Sequence, residues 1–171
     1  EVGIPPDNIE TVFWRHNDAV CSGQITLEQF NKAIAQEIGV ASFDWHKYFM
    51  KNIEPMPGIK ELLEWAGENY EIGILSNNLP GFIDELKSRG LIPDVEFKTI
   101  VYSCKVGVVK PDPKIYEIAE GLTAMEPSEI LLVDDIRTFL TAADKAGWQI
   151  LWFDEENPQE SIERIKKHLE F

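Results

Sequence analysis

Ile130-Leu-Leu-Val-Asp134-Asp135 sets four apolar residues directly in front of two adjacent carboxylates. A short unbroken apolar run has no polar side, so it reads as a strand buried on both faces, the kind found in a parallel sheet. In a doubly wound sheet, ligands bind at the carboxyl ends of the strands, which is where these acids would sit. Two neighbouring carboxylates repel each other, and a hard cation such as Mg²⁺ relieves that repulsion. The plainer role for such acids is to complement the dipole at a helix N-terminus, and Asp135 is placed for that as well.

The rest of the chain fits around that strand. Residues 7–51 read as a small helical cap. Asp7 or Asn8 is the expected N-cap of a first helix carrying Ile9, Val12, Phe13 and His16. Thr26 and Gln29 have capping-box spacing ahead of Phe30, Ile34 and Ile38, and Gly39 reads as the stop. A shorter helix is expected over 44–51. Residues 52–171 form the core, where the pattern turns to alternating strand and helix. Strands are expected at 71–76, 98–104, 130–134 and 149–153, and helices from Gly58, over 82–89 and 113–121, through Ala146, and from Pro158. Strands alternating with helices imply a parallel sheet covered on both faces.

Composition narrows the partners. With 30 acidic against 16 basic residues the net charge is −14, which disfavours nucleic acid and anionic membranes. A phosphorylated substrate stays open, because a local Lys and a metal can invert the field of a site. No apolar run approaches a membrane span, and no leader is read in the opening residues, so a cytoplasmic location is expected. Cys21 and Cys104 have no metal or redox spacing and read as reduced thiols, with a disulfide as the alternative.

Two further motifs gather near the acid pair. Ser76-Asn77 closes an apolar strand, so short hydroxyl, amide and backbone N–H donors collect at the sheet edge; both are also ordinary turn residues. Lys110 stands in Val109-Lys110-Pro111-Asp112-Pro113. Pro111 biases it away from helix, while Asp112 is a natural N-cap for a helix opening at Pro113. A lysine so constrained acts as a fixed point charge. The alternative is a solvated surface lysine.

A strand ending in Ser-Asn, a Lys-Pro before a helix and a strand ending in Asp-Asp, in that order, resemble the haloacid dehalogenase-like hydrolase superfamily. The wording of residues 55–63, 102–116 and 135–147 is similar to its phosphatase branch with a small helical cap, which includes the N-terminal domain of soluble epoxide hydrolases. The resemblance implies an α/β fold, a doubly wound parallel Rossmann-like sheet under a helical cap. It implies a Mg²⁺-dependent phosphatase of a small phosphorylated metabolite working through an aspartyl-phosphate. On that reading Ser76 and Asn77 bind the phosphoryl group, Lys110 bridges nucleophile and phosphate, and Asp135 binds Mg²⁺ with Asp134 behind it or as a further ligand. Lys110→Ala is expected to abolish turnover and leave the fold intact.

The family pattern also implies a first strand ending in Asp-x-Asp, whose first Asp attacks phosphorus. This sequence has no such motif ahead of the helices. Asp44 in Phe43-Asp44-Trp45-His46 is the nearest candidate, and it lacks the second carboxylate and reads as helical. The expectation is therefore a core missing its central first strand, filled by an upstream segment of roughly 20–30 residues or by self-association. Two alternatives remain: a non-catalytic binding or interaction protein on the same scaffold, and a metal-independent haloacid dehalogenase. Trp14, His16, Trp45 and His46 could line the entrance or simply pack the cap.

Overall fold

The computed structural model describes residues 5–170, so any reading of how the chain opens at Glu1 lies outside the described residues. Three helices come first: α1 (Pro6–Cys21), α2 (Leu27–Ile38) and α3 (Trp45–Asn52). Asp7 and Asn8 are not its N-cap: α1 starts at Pro6, with Pro5 in the capping position and no side-chain cap bond. Proline has the helical φ built in and no N–H to satisfy, so it opens a helix without a capping side chain. The Thr26 capping box does form, with Thr26 Oγ1 accepting from the Gln29 N–H at 3.2 Å and Gln29 Oε1 from the Thr26 N–H at 2.8 Å. Gly39 ends α2 at φ 73°, where a side chain would be strained.

The apolar faces of these helices close on one cluster that includes Ile9, Val12, Val20, Phe30, Ile34 and Trp45. Phe30 and Ile34 are fully buried, and burying a side chain of that size stabilises by about 1.5–3 kcal/mol. Leu79, Phe82 and Val109 reach into the same cluster from the strand-bearing part of the chain.

That part runs α4 (Ile59–Asn69), β1 (Ile72–Ser76), α5 (Phe82–Ser88), β2 (Phe97–Tyr102), α6 (Ser103–Val106), α7 (Pro113–Thr123), β3 (Leu131–Asp134), α8 (Arg137–Lys145), β4 (Gln149–Trp152) and α9 (Pro158–Leu169). The strand expected over 98–104 ends at Tyr102. Its β-branched core, Thr99-Ile100-Val101, is where the strand signal lay, and Ser103 and Cys104 instead begin the short helix α6.

All strand pairing is parallel, as the alternation implies. β1 lies beside β2, with Ile74 opposite Ile100 and Ser76 opposite Tyr102. β3 lies beside β4, with Leu132 opposite Ile150 and Asp134 opposite Trp152. Among the described residues no strand joins the two pairs. They are bridged on one face by α7 and α8, where Val101, Leu75 and Leu132 pack with Ile115, Tyr116 and Leu140. The other face is covered by α4 and α9, through Leu62, Ile162 and Ile165 against Leu151 and Phe153. Helices on both faces of parallel strands make the fold a Rossmann-like α/β core under a helical cap.

Candidate active site

β1 delivers Ser76 to the carboxyl end of its pair, and the next two residues turn under α5. Asn77 grips the segment that carries Lys110. Its Nδ2 donates to the Lys110 carbonyl at 2.9 Å, and its Oδ1 accepts from the Lys110 N–H at 2.7 Å. Both ends of the carboxamide are thus spent on one backbone unit, which leaves the Asn77 backbone N–H and the Ser76 hydroxyl as the donors at the end of β1. Asn78 is buried; its N–H donates to Ser103 Oγ at 3.0 Å and its Nδ2 to the Leu79 carbonyl at 3.2 Å.

Lys110 is not a surface lysine: it is 7% exposed. Its Nζ donates to Asp134 Oδ2 at 2.5 Å and lies 4.9 Å from the centre of the Phe139 ring. The Lys110–Pro111 peptide is cis. Beyond it Asp112 accepts from the Lys114 N–H at 2.9 Å and caps α7, which opens at Pro113 as its sequence requires. Asp134, the last residue of β3, is equally enclosed, its side chain 8% exposed. Its second oxygen accepts from the Ile136 N–H at 2.9 Å.

Asp135 differs from its neighbour. It is exposed, and its carbonyl accepts from Trp152 Nε1 at 2.8 Å. Partial burial of its carboxyl, with the Asp134 charge adding to it, holds the group above its ordinary pKa. One acid is therefore committed to an ammonium and a backbone N–H, while the other carries a charge that its surroundings disfavour.

The structure brings Asn77, Lys110 and Asp134 together by hydrogen bonds and sets Ser76 and Asp135 next to them in the chain. Asn78, Ser103 and Phe139 were not singled out from the sequence. Nothing in a lone Asn, Ser or Phe marks it, since their roles depend on the tertiary meeting of β1, α6 and α8. Asp44 lies in the cap, where it caps α3 by accepting from the Lys47 N–H at 3.0 Å. His16 pairs with Glu37 at 2.6 Å, and His46 Nε2 lies 3.0 Å from Glu85 as an ion-pair contact. Trp45 is packed in the cap interior, whereas Trp14 is 60% exposed. Both cysteines are free, and burial pushes the Cys21 thiol up to about 12.

Comparison with known proteins agrees with this fold. Bifunctional epoxide hydrolase 2 of Sus scrofa is 29% identical over 64% of this chain, which spans 20% of that protein. A phosphoglycolate phosphatase of Pseudomonas putida is 25% identical over 87% of this chain, which spans 57% of its length. A HAD family enzyme of Bacteroides thetaiotaomicron superposes with a TM-score of 0.73 at 20% identity, over 87% of this chain and 80% of that one. A further structure of that enzyme is a complex with magnesium and inorganic phosphate. The family model of the haloacid dehalogenase-like hydrolases matches residues 19–153, and the chain belongs to that family.

Proposed function

We propose that this chain forms the cap and core of a Mg²⁺-dependent phosphatase acting on a small phosphorylated metabolite. The observation that carries the reading is the buried Lys110 ammonium, held through its backbone by Asn77, which follows Ser76, and through its Nζ by Asp134 at the end of β3. A fixed cation there stabilises a phosphoryl group as negative charge builds on its oxygens, and it needs no rearrangement at the moment of reaction. The Ser76 hydroxyl and the Asn77 backbone N–H are the short donors that orient a phosphate. Asn77 itself is a positioning residue, since its carboxamide holds Lys110.

The acid pair suits Mg²⁺. Among the described residues no group of three His, Cys, Asp or Glu side chains is set to hold a metal. Mg²⁺ asks for less, one or two carboxylates with water and substrate oxygens completing the shell. Asp135 supplies an exposed carboxylate of disfavoured charge, and Asp134 supports it from behind. A bound Mg²⁺ would neutralise charge on the transferring group. The aspartyl-phosphate step needs a nucleophilic carboxylate that the described residues do not place: Asp44 is an N-cap and Asp134 is tied to Lys110.

The test is phosphate release from a panel of small phosphomonoesters by the complete natural protein, with Mg²⁺ and with EDTA. Turnover that needs Mg²⁺ and falls by about two to four decades in Lys110→Met supports the reading. Halide release from 2-haloacids without metal would make it a dehalogenase, and tight ligand binding with no turnover would make it a binding protein on the same scaffold.

A further inference from the structure

β3 and β4 run parallel with Asp134 opposite Trp152, so the acid pair leaves the sheet level with the last residue of β4. β4 holds the main chain of that pair twice. The Asp134 carbonyl accepts from the Phe153 N–H at 2.9 Å, a bond any parallel pair would make. The Asp135 carbonyl accepts from Trp152 Nε1 at 2.8 Å. This second bond depends on one side chain, since an indole is a large apolar ring with a single donor and no acceptor.

Trp152 is itself held from several sides. Its ring packs against the cluster that contains Leu132 and Leu140, on the face covered by α7 and α8. Its carbonyl accepts from Arg164 Nη2 of α9 at 2.6 Å, which anchors the end of β4 from the other face. The Arg137 guanidinium lies 4.0 Å from the centre of the indole ring, and an aromatic face is a favoured seat for arginine. The loop from Asp135 to Arg137 thus closes on the indole at two points, a carbonyl at one end and a guanidinium at the other. None of the ion pairs among the described residues includes Arg137 or Asp135, so the stacked cation stays off the acid. Between these anchors the Ile136 N–H donates to Asp134 Oδ1 at 2.9 Å. Asp135 is an exposed residue on a loop held on both sides of it.

We propose that Trp152 is a positioning residue of the Mg²⁺ site: its indole N–H fixes the Asp135 peptide so that the carboxylate meets the ion in one orientation. This role rests on Asp135 being the Mg²⁺ ligand of the proposed phosphatase. A carboxylate on a mobile peptide loses conformational freedom when it takes an ion, and one already fixed loses less. Hydrogen bonds behind a metal ligand are commonly worth about ten- to a hundredfold in affinity.

The test is Mg²⁺ titration of the complete natural protein by calorimetry, for the parent, Trp152→Phe and Trp148→Phe. Trp152→Phe keeps an aromatic face for Arg137 and removes the donor, so its Kd for Mg²⁺ is expected to rise about tenfold. Trp148→Phe is the same chemical change next to the other end of β4, where Trp148 Nε1 donates to Glu120 Oε1 at 2.7 Å. It is expected to lower the melting temperature and leave the Mg²⁺ Kd at the parent's value. Equal Kd values for the parent and Trp152→Phe overturn the proposal. An equal loss in Trp148→Phe overturns it too, since metal affinity would then merely follow overall stability. Should Trp152→Phe fail to fold, the unaltered protein carries the test. If the indole bond raises Mg²⁺ affinity about tenfold, Mg²⁺ strengthens the indole bond by the same factor. Exchange of the Trp152 indole proton should then slow by about tenfold at saturating Mg²⁺, and a rate indifferent to Mg²⁺ overturns the proposal. A parent that binds no Mg²⁺ overturns it together with the metal reading. Mg²⁺ binding that depends on Trp152, without phosphate release, keeps the positioning role and counts against the phosphatase, so the two fail separately.

Discussion

Removing the Lys110 ammonium strips the Asp134 carboxylate, 8% exposed, of its cation. Breaking a buried pair from one side costs about 3–5 kcal/mol, because the charge that remains is neither solvated nor matched. Lys110→Met is therefore expected to shift the urea midpoint sharply, unlike the sequence-based expectation that Lys110→Ala leaves the fold intact. Asp134→Asn added to Lys110→Met should return much of that loss; a Lys110→Met protein as stable as the parent would show that the pair is not structural. Asp135 behaves in the opposite sense. Its charge is disfavoured by burial and by Asp134, so Asp135→Asn should raise the melting temperature of the metal-free protein. With Mg²⁺ at a hundred times its Kd, the parent gains about 2.7 kcal/mol and the variant little of it. An unchanged Mg²⁺ response in Asp135→Asn would move the ligand role to Asp134. The acids and the lysine were legible as residue types in their motifs. Their pairing was not, since it joins positions 24 apart in the chain through packing that no local pattern encodes. For Asn77 the sequence marks the amide and the backbone N–H alike, and only the fold shows the amide spent on the Lys110 backbone.

Helices announced themselves best where a cap side chain is written into the sequence, as at Thr26 and Asp112. The start of α1 was misplaced, because Pro6 opens it without a side-chain cap. The strands were legible from their apolar runs, but an apolar run does not say which sides are paired; the expectation of a missing central strand came from the family resemblance alone, and the described strands fall in two parallel pairs. Between α1 and α2 no local pattern marks the contact that joins them outside the apolar seam. Glu37 accepts from Arg15 Nη1 at 2.7 Å and lies 2.6 Å from His16 Nε2. The His16 hydrogen bond first, and Arg15 with it, hold the Glu37 carboxyl below its ordinary value. A carboxyl depressed on folding adds stability above its unfolded pKa and loses it as pH falls through the folded one. Glu37→Gln should thus melt lower than the parent at neutral pH, and the two should converge in the strongly acid range. The difference should shrink in high salt, because the group is solvent-exposed and screened. A gap that persists at acid pH would mean the variant damages packing rather than an ion pair.

At the scale of the whole molecule, the cap and the strand-bearing core share one interior. Leu79, Phe82 and Val109 belong to the cluster built on Phe30 and Ile34, and Arg89 Nη1 donates to the Met50 carbonyl at 2.6 Å. Shared burial of this kind makes two parts melt together, since neither keeps its apolar surface covered alone. Gly23, just past α1, brings the backbones of the two parts close together. It sits at φ +70°, and a Cβ there would stand 2.5 Å from the Cys104 carbonyl oxygen in α6. That oxygen belongs to the main chain and cannot swing aside as a flexible side chain would. Gly23→Ala must therefore adopt a left-handed backbone, at about 1–2 kcal/mol, and push α1 from α6, at about 1–3 kcal/mol more. The push acts along the cap–core seam, so the loss should appear as weakened coupling as well as a lower midpoint. In the parent, fluorescence of Trp45 in the cap and of Trp148 in the core, each kept as the sole tryptophan, should report one coincident thermal transition. In Gly23→Ala the Trp45 transition should come first. Coincident transitions in the variant, at the parent's temperature, would show that the Gly23–Cys104 approach is not what joins the two parts.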